Sequence, residues 1–269
     1  MNYLNLACGN RFHKDWTNID FVSSNEFVIA HNLVEGIPFS DNYFDGVYNS
    51  HVLGHFSKKQ GVSFLEECFR VLKKGGVIRI VVPDLEQLAK EYLQALDNVY
   101  CSETEMTKAN YDWSVIELID EMVREKPGGE MLSYWQQKNI VNEDQIVKRV
   151  GHEFLRIREF IVQTNNQSIV GIKEPNKSYK TRLKKYILKK LNFRIEDSDL
   201  GKFRNSGELF KWMYDRYSLS RLLKEIGFTD IKIQAADQSY IVDWNKYLEL
   251  DVEDGKVRKP DSLFIEAKK

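Results

Sequence analysis

Along the first hundred residues the apolar positions repeat with two alternating periods. Short runs at Tyr3–Leu6, Thr17–Phe21, Phe27–Ala30, Asp45–Asn49 and Val77–Val82 predict strands. The last, "VIRIVV", is apolar and β-branched, as a strand covered on both faces should be, which implies a parallel sheet. Between the last two, Gln60–Leu72 places Val62, Leu65, Cys68, Phe69 and Leu72 at helical spacing. It stops at "KKGG", where Lys73 and Lys74 suit a helix C-terminus and Gly75 can take positive φ. This alternation predicts an α/β core with crossover helices.

Residues 100–206 break the rhythm. "YDWSVIELIDEMVR" carries Trp113, Ile116, Ile119 and Met122/Val123 on one helical stripe, followed by a "KPGG" stop, and predicts an inserted helical cap. Residues 177–194, "KSYKTRLKKYILKKLNFR", hold many cations and no acid, with Leu183, Ile187 and Leu191 in an i, i+4, i+8 stripe. Such a helix suits either a solvated cover or peripheral contact with an anionic membrane or with phosphates. Alternation returns with a helix at Leu219–Ile226 closed by Gly227, then strands at Asp230–Gln234 and Ser262–Ala267, an ending that fits an antiparallel sheet edge. The expected division is a core over 1–99, a cap over 100–206 and the rest of the core over 207–269.

Composition narrows the class. With 269 residues, 42% hydrophobic, the chain can bury a large core. Lys+Arg 39 against Asp+Glu 40 gives a formal charge of -1, which offers no overall pull toward nucleic acid, and the one basic run comes with no base-reading motif. Nucleic acid is therefore not an expected partner. Cys8, Cys68 and Cys101 are odd in number, far apart and without metal-ligand spacing, so neither a disulfide framework nor a metal site is expected. No apolar run approaches the roughly 18 residues of a membrane span, and the N-terminus enters a strand with no leader. A reducing cytoplasm fits these features. Oligomeric state is not legible.

The chemistry begins at "LNLACGNRFHKDWTNID". In an open α/β sheet ligands collect at the carboxyl ends of the strands, and a turn of small residues lets the backbone approach closely. Ala7-Cys8-Gly9 is such a turn, and Asp20 ends the second strand, placed to accept from a ribose diol. A nucleoside ligand is the first hypothesis; the bland alternative is that Gly9 caps a helix and Asp20 merely ends a strand. The G-x-G-x-x-G cradle of a dinucleotide is absent, the positions reading A-C-G-N-R-F.

Four segments in order, "LNLACGN", "WTNIDF", "HNLVEGIPFSDNYFDGVYNSHVLGHF" and "ECFRVLKKGGVIRIVVPD", resemble the class I S-adenosylmethionine-dependent methyltransferases of the type labelled methyltransferase type 11. "GELFKWMYDRYSLSRLLKEIGF" and "KVRKPDSLFIEA" resemble a bacterial subgroup that accompanies sugar and surface-polysaccharide biosynthesis. The resemblance implies a Rossmann-like fold with a seven-stranded mixed sheet and S-adenosylmethionine as cofactor. It implies that Ala7, Cys8 and Gly9 line the methionine end, Asp20 binds the ribose, Asn32 and Leu33 flank the adenine, and Asn49, Ser50 and His51 lie under the sulfonium methyl. His51 is the first candidate base because its ordinary pKa lies near neutrality; His55 is the second, and Asp84 either orients an acceptor hydroxyl or caps a helix. Trp113, Trp135, Trp212 and Tyr214, with Glu208, Asp215 and Arg216, are acceptor-side candidates or core. The sequence departs from the family pattern in three places: Ala7 replaces a glycine, a fit that needs negative φ; Asn32 replaces an acid but keeps an acceptor; and Gly54 in "HVLGH" replaces an acid inside a predicted helix. The implied acceptor is a hydroxyl of a sugar or glycan precursor, the alternatives being an amine, a lipid-like molecule, or a catalytically silent binding protein.

Overall fold

The structure, a computed structural model, describes residues 1–23, 25–167, 201, 203–204 and 207–269. The basic stretch over 177–194 lies outside these residues. Strands β1 (Tyr3–Leu6), β2 (Thr17–Asp20), β3 (Val28–Ala30), β4 (Phe44–Ser50) and β5 (Leu72–Pro83) run parallel. After them come β6 (Thr229–Ile233), a small hairpin of β7 (Val252–Glu253) and β8 (Lys256–Val257), and β9 (Ser262–Lys268). Strand β9 inserts antiparallel between β5 and β6, giving a seven-stranded mixed sheet in the order β3-β2-β1-β4-β5-β9-β6. This is the Rossmann-like arrangement of class I methyltransferases. Helices named among the described residues are α1 (Lys58–Val71), α2 (Leu85–Cys101), α3 (Glu105–Val123), α4 (Gly129–Trp135), α5 (Glu143–Val150), α6 (His152–Gln167) and α7 (Arg216–Ile226).

The period of two along the strands sorts the core into two layers. Leu4, Leu6, Val47, Ile78 and Ile80 face one side with Leu65 and Cys68 of α1 and Leu219 and Leu223 of α7. Tyr3, Tyr48, Val77, Val81 and Phe264 face the other with Trp16, Ile241 and Trp244. Helix α1 begins two residues earlier than its apolar spacing predicts, because Ser57 and Gln60 form a capping box. The "KKGG" segment does not end that helix. Strand β5 starts directly at Leu72, Lys73 pairs with Asp45 at 2.8 Å, and Gly75 takes its positive φ of 78° within the strand.

Arg79 interrupts the apolar run of β5 and is fully buried. Its Nε donates to Asp251 Oδ2 (2.8 Å), its Nη1 to Glu266 Oε1 (2.8 Å), and its remaining donors reach the carbonyls of Ala235, Ala236 and Gln238. The guanidinium stacks 4.5 Å from the centroid of Trp244. A buried charge this fully bonded ties the 235–251 segment to the sheet.

The chain divides into two compact units, residues 1–87 with 210–269, and residues 88–209. In the helical unit the predicted apolar stripe of α3 is corrected: Ile119 and Val123 are exposed, and the buried face carries Trp113, Ser114, Glu117 and Asp120. Carboxylates reach the interior there because each finds a partner, Glu117 on Arg149 Nε (3.1 Å) and Asp120 on Arg124 Nη2 (2.7 Å) and Glu130 N (2.7 Å). Trp113 and Trp135 belong to this unit's core.

Candidate functional site

The small-residue turn stands at the carboxyl end of β1. Ala7 (φ 50°) and Gly9 (φ 56°) both take left-handed backbone, which corrects the expectation of negative φ for the alanine. Holding Ala7 there costs on the order of 1–2 kcal/mol that glycine would avoid. Cross-strand bonds hold it: Cys8 N donates to Ile19 O (3.1 Å), and Gly9 N donates to Asp20 Oδ2 (2.5 Å). Phe21 N donates to the other oxygen of Asp20 (2.6 Å), so the carboxylate is fixed against the turn with acceptor capacity left on both oxygens. A Cβ on Gly9 would meet nothing within 4 Å, so the space beside the turn is open. Burial, with Asp20 adding, pushes the Cys8 thiol up to about 12 and leaves it a neutral lining group.

Strand β3 lies beside Asp20, which pairs with Ala30, and His31 N donates to Asp20 O (2.8 Å). Asn32 then caps the 3₁₀ turn Leu33–Glu35: its Oδ1 accepts from Val34 N (3.2 Å) and its Nδ2 donates to Glu35 Oε1 (3.1 Å). The amide oxygen expected to face an adenine thus spends one lone pair on the cap. Leu33 is half-buried against the core.

Strand β4 brings Asn49 level with Leu6 of β1 and Ser50 level with Val81 of β5. Asn49 is fully buried, and neither its Nδ2 nor its Oδ1 has a hydrogen-bond partner among the described residues. An orphaned buried amide costs about 1–3 kcal/mol, a cost that a bound polar group removes. His51 follows in left-handed backbone (φ 55°), its N donating to Val81 O (2.8 Å) and its Nε2 bonded to Ser262 Oγ (2.8 Å). Loss of solvation, reinforced by the neighbouring Lys259, His55 and Arg258, holds the imidazole well below its usual pKa of 6.5. His51, chosen for an ordinary pKa near neutrality, is shifted downward from that value by its burial.

His55 ends the 3₁₀ turn Leu53–His55 and packs edge-on to Phe210 at 4.5 Å. Gly54, expected inside a helix, lies in this same turn. Its carbonyl accepts from Lys211 N (2.7 Å) and Trp212 N (3.2 Å), and a Cβ on it would meet Trp212 O at 3.1 Å. The close approach of residues 210–212 is the reason for glycine there. Asp84 follows β5, buried, and its Oδ1 accepts from Glu86 N (3.0 Å) in the first turn of α2, so it caps that helix. Tyr214 is buried in the core, Trp212 is 41% exposed, Asp215 caps α7, and Arg216 pairs with Glu86. Glu208, in the helical unit, lies 3.9 Å from Arg124.

Sequence reasoning missed Ser262 as the partner of His51, and missed Arg11, whose Nη2 meets Glu253 Oε2 (2.5 Å) just past the turn. Both partners lie over two hundred residues away in sequence, Ser262 at the start of β9 and Glu253 in β7.

Comparison with known proteins adds a name to this geometry. Residues 11–80 match a family model described as "Methyltransferase domain". The matched domain is that of S-adenosylmethionine-dependent methyltransferases. On this match the chain carries a methyltransferase domain over residues 11–80, which supports S-adenosylmethionine-dependent methyl transfer with that compound as cofactor. No curated protein sequence matches. Solved structures with overlapping folds include an Archaeoglobus fulgidus SAM-dependent methyltransferase (14% identity, covering 100% of this chain and 86% of that one, TM-score 0.40). A Thermotoga maritima SAM-dependent methyltransferase overlaps at 12% identity, 100% and 82% coverage and TM-score 0.38. Haemonchus contortus phosphoethanolamine N-methyltransferase 1, in complex with phosphoethanolamine and S-adenosylhomocysteine, overlaps at 12% identity, 100% and 87% coverage and TM-score 0.28. These likenesses are weak, and the fold assignment rests on the strand order.

Proposed function

We propose that this methyltransferase acts on a hydroxyl of a sugar or glycan precursor, with the cofactor held at the carboxyl ends of β1 to β4. Ala7, Cys8 and Gly9 take the methionine end, Asp20 the ribose hydroxyls, Asn32 and Leu33 the adenine, and Asn49 and Ser50 the region of the sulfonium. The observation that carries the reading is the Asp20 carboxylate clamped to Gly9 N–H beside a strained, open turn. The orphaned amide of Asn49 fits a bound polar group at the neighbouring strand end. When bound, S-adenosylmethionine supplies an electrophilic methyl. The chain's part is alignment and a place for the acceptor's proton. His51, neutral and fixed by Ser262, is the candidate group for receiving or orienting that proton, with His55 next. Asp84 is already engaged as a cap, which leaves its second oxygen for an acceptor hydroxyl.

Isothermal calorimetry with S-adenosylmethionine and S-adenosylhomocysteine tests the cofactor site. Failure of both to bind at millimolar concentration favours a catalytically silent binding protein. The sugar acceptor rests on the resemblance of the C-terminal segments, and a methyl-transfer screen across nucleotide sugars and polysaccharide ends, set against amines and lipid-like acceptors, decides it. Label found only on an amine or a lipid-like molecule replaces the sugar hydroxyl as acceptor.

A further inference from the structure

At the carboxyl ends of β4 and β5, the side chains of His51, Ser262 and Asp261 stand in a row. His51 Nε2 lies 2.8 Å from Ser262 Oγ, and Ser262 Oγ lies 3.4 Å from Asp261 Oδ1. Strand pairing sets the first contact: Ser262 of β9 stands opposite Pro83, while Ser50, the residue before His51, stands level with Val81. Which ring nitrogen carries the hydrogen decides what His51 can do, since only the bare nitrogen accepts a proton.

Ser262 is 5% exposed, so its one hydroxyl hydrogen goes to one of these two neighbours. An ionised Asp261 only accepts, and its charge draws the hydroxyl dipole even across a long contact of 3.4 Å. With the hydrogen turned toward Asp261, Oγ offers a lone pair to the ring, and Nε2 must be the donor. The opposite arrangement gives the hydrogen to Nε2 and sets a hydroxyl lone pair against the carboxylate. It also puts a hydrogen on Nδ1, which has no hydrogen-bond partner among the described residues. Unlike the Asn49 amide, Nδ1 is not closed off from solvent. An imidazole points its two nitrogens in nearly opposite directions, so a lone pair on Nδ1 faces away from Ser262.

We propose that Asp261 and Ser262 are positioning residues that hold His51 as the Nε2–H tautomer and so present Nδ1 as the proton acceptor. The inference rests on His51 as the base of methyl transfer. The hydrogen of the acceptor hydroxyl passes to Nδ1, the O–H bonding pair stays on the acceptor oxygen, and the imidazolium keeps its Nε2–H on Ser262 Oγ. Lys259, His55 and Arg258 oppose that positive charge, whereas the Asp261 carboxylate, acting through the Ser262 hydroxyl, favours it.

The test is long-range proton–nitrogen NMR of the full chain labelled with 15N-histidine at about pH 7.5, above the ordinary histidine pKa. The signals of His51 are those that vanish in His51→Gln. The parent should show Nδ1 bare and Nε2 protonated in roughly tenfold or greater excess over the other tautomer. Ser262→Ala and Asp261→Ala should each raise the Nδ1–H fraction about threefold or more, and Ser262→Thr, which keeps the hydroxyl, should restore the parent ratio. Thermal melting confirms that each variant is folded. S-adenosylhomocysteine, its binding measured separately by calorimetry, should move the Nδ1 signal more than the Nε2 signal. A parent ring with Nδ1–H in the majority, a tautomer ratio unchanged in both alanine variants, or bound S-adenosylhomocysteine that leaves Nδ1 unmoved overturns the proposal. Absence of S-adenosylhomocysteine binding is instead a failure of the methyl-transfer reading, and the parent spectrum still decides the tautomer.

Discussion

Gly54→Ala sets two physical effects against each other and decides between them. In an open helix this change stabilises by up to about 1 kcal/mol, because alanine is the better helix former. Gly54 is instead buried in a 3₁₀ turn, and an added Cβ would stand 3.1 Å from Trp212 O and 3.2 Å from Cγ and Cδ1 of Phe210. The 210–212 segment cannot retreat freely, since its Lys211 and Trp212 N–H groups both bond the Gly54 carbonyl. Overpacking of this kind costs about 1–3 kcal/mol, so a net loss of about 1–2 kcal/mol is expected. For a chain of this size that lowers Tm by roughly 2–8 °C. The assay is urea unfolding followed by tryptophan fluorescence, with S-adenosylhomocysteine affinity measured alongside. Gly54→Glu, which restores the acid of the family pattern, should lose more, because the longer side chain must displace the same backbone. Unchanged or raised stability in Gly54→Ala would refute the close-packing account.

Asp20→Ala should weaken S-adenosylhomocysteine binding by roughly 10–100-fold, as expected for lost bonds to a charged acceptor, and unchanged affinity by calorimetry removes the ribose assignment. Ala7→Gly should raise stability by about 0.5–1 kcal/mol, the left-handed strain relieved less the extra freedom of glycine in the unfolded chain; a loss in urea unfolding would show that the turn is not strained. His51 has a folded pKa below its unfolded value, so its contribution to stability is complete above about pH 6.5 and declines as pH falls through that value toward the lower folded one. His51→Gln should flatten that part of the stability–pH curve, and, if His51 receives the proton, turnover should show no histidine limb near pH 6.5. Arg79→Met should cost about 3–5 kcal/mol by stranding Asp251 and Glu266; a variant as stable as the parent in chemical denaturation would mean the two acids find other partners.

The core was legible where one period held. Five parallel strands and α1 follow from apolar spacing, because a strand buried on both faces and an amphipathic crossover helix leave unambiguous patterns. What was not legible depends on partners far along the chain. Arg79 reads as an interruption of "VIRIVV" until Asp251 and Glu266 arrive to bond it. The face of α3 was misjudged for the same reason: Glu117 and Asp120 count as solvent-facing in any hydrophobic pattern, yet each has a buried cation within reach, and the apolar Ile119 and Val123 are left outside. At the site, the positions of the turn, Asp20 and Asn49 could be placed on strand ends from sequence. The sign of φ at Ala7 and the depressed pKa of His51 could not.

Those two residues stand at neighbouring strand ends. Ala7 follows β1 and His51 follows β4, the adjacent strand, and both are non-glycine residues in left-handed backbone. Neither conformation would persist in an isolated turn. Each is held by bonds that cross between strands: Cys8 N to Ile19 O and Gly9 N to Asp20 on one side, His51 N to Val81 O and His51 Nε2 to Ser262 on the other. The sheet imposes the strain, and strain of this kind concentrates where a site must be shaped before its ligand arrives. An alanine at the first position of the turn therefore does not weaken the case for a cofactor site; it shows that the neighbouring strands, not the glycine preference of the turn, fix the backbone there. Burial, and after it the neighbouring Lys259, His55 and Arg258, lower the pKa of the His51 ring. At His51, β9 beside β5 supplies the Ser262 partner of the ring, whereas the turn at Ala7 is set by β2 alone.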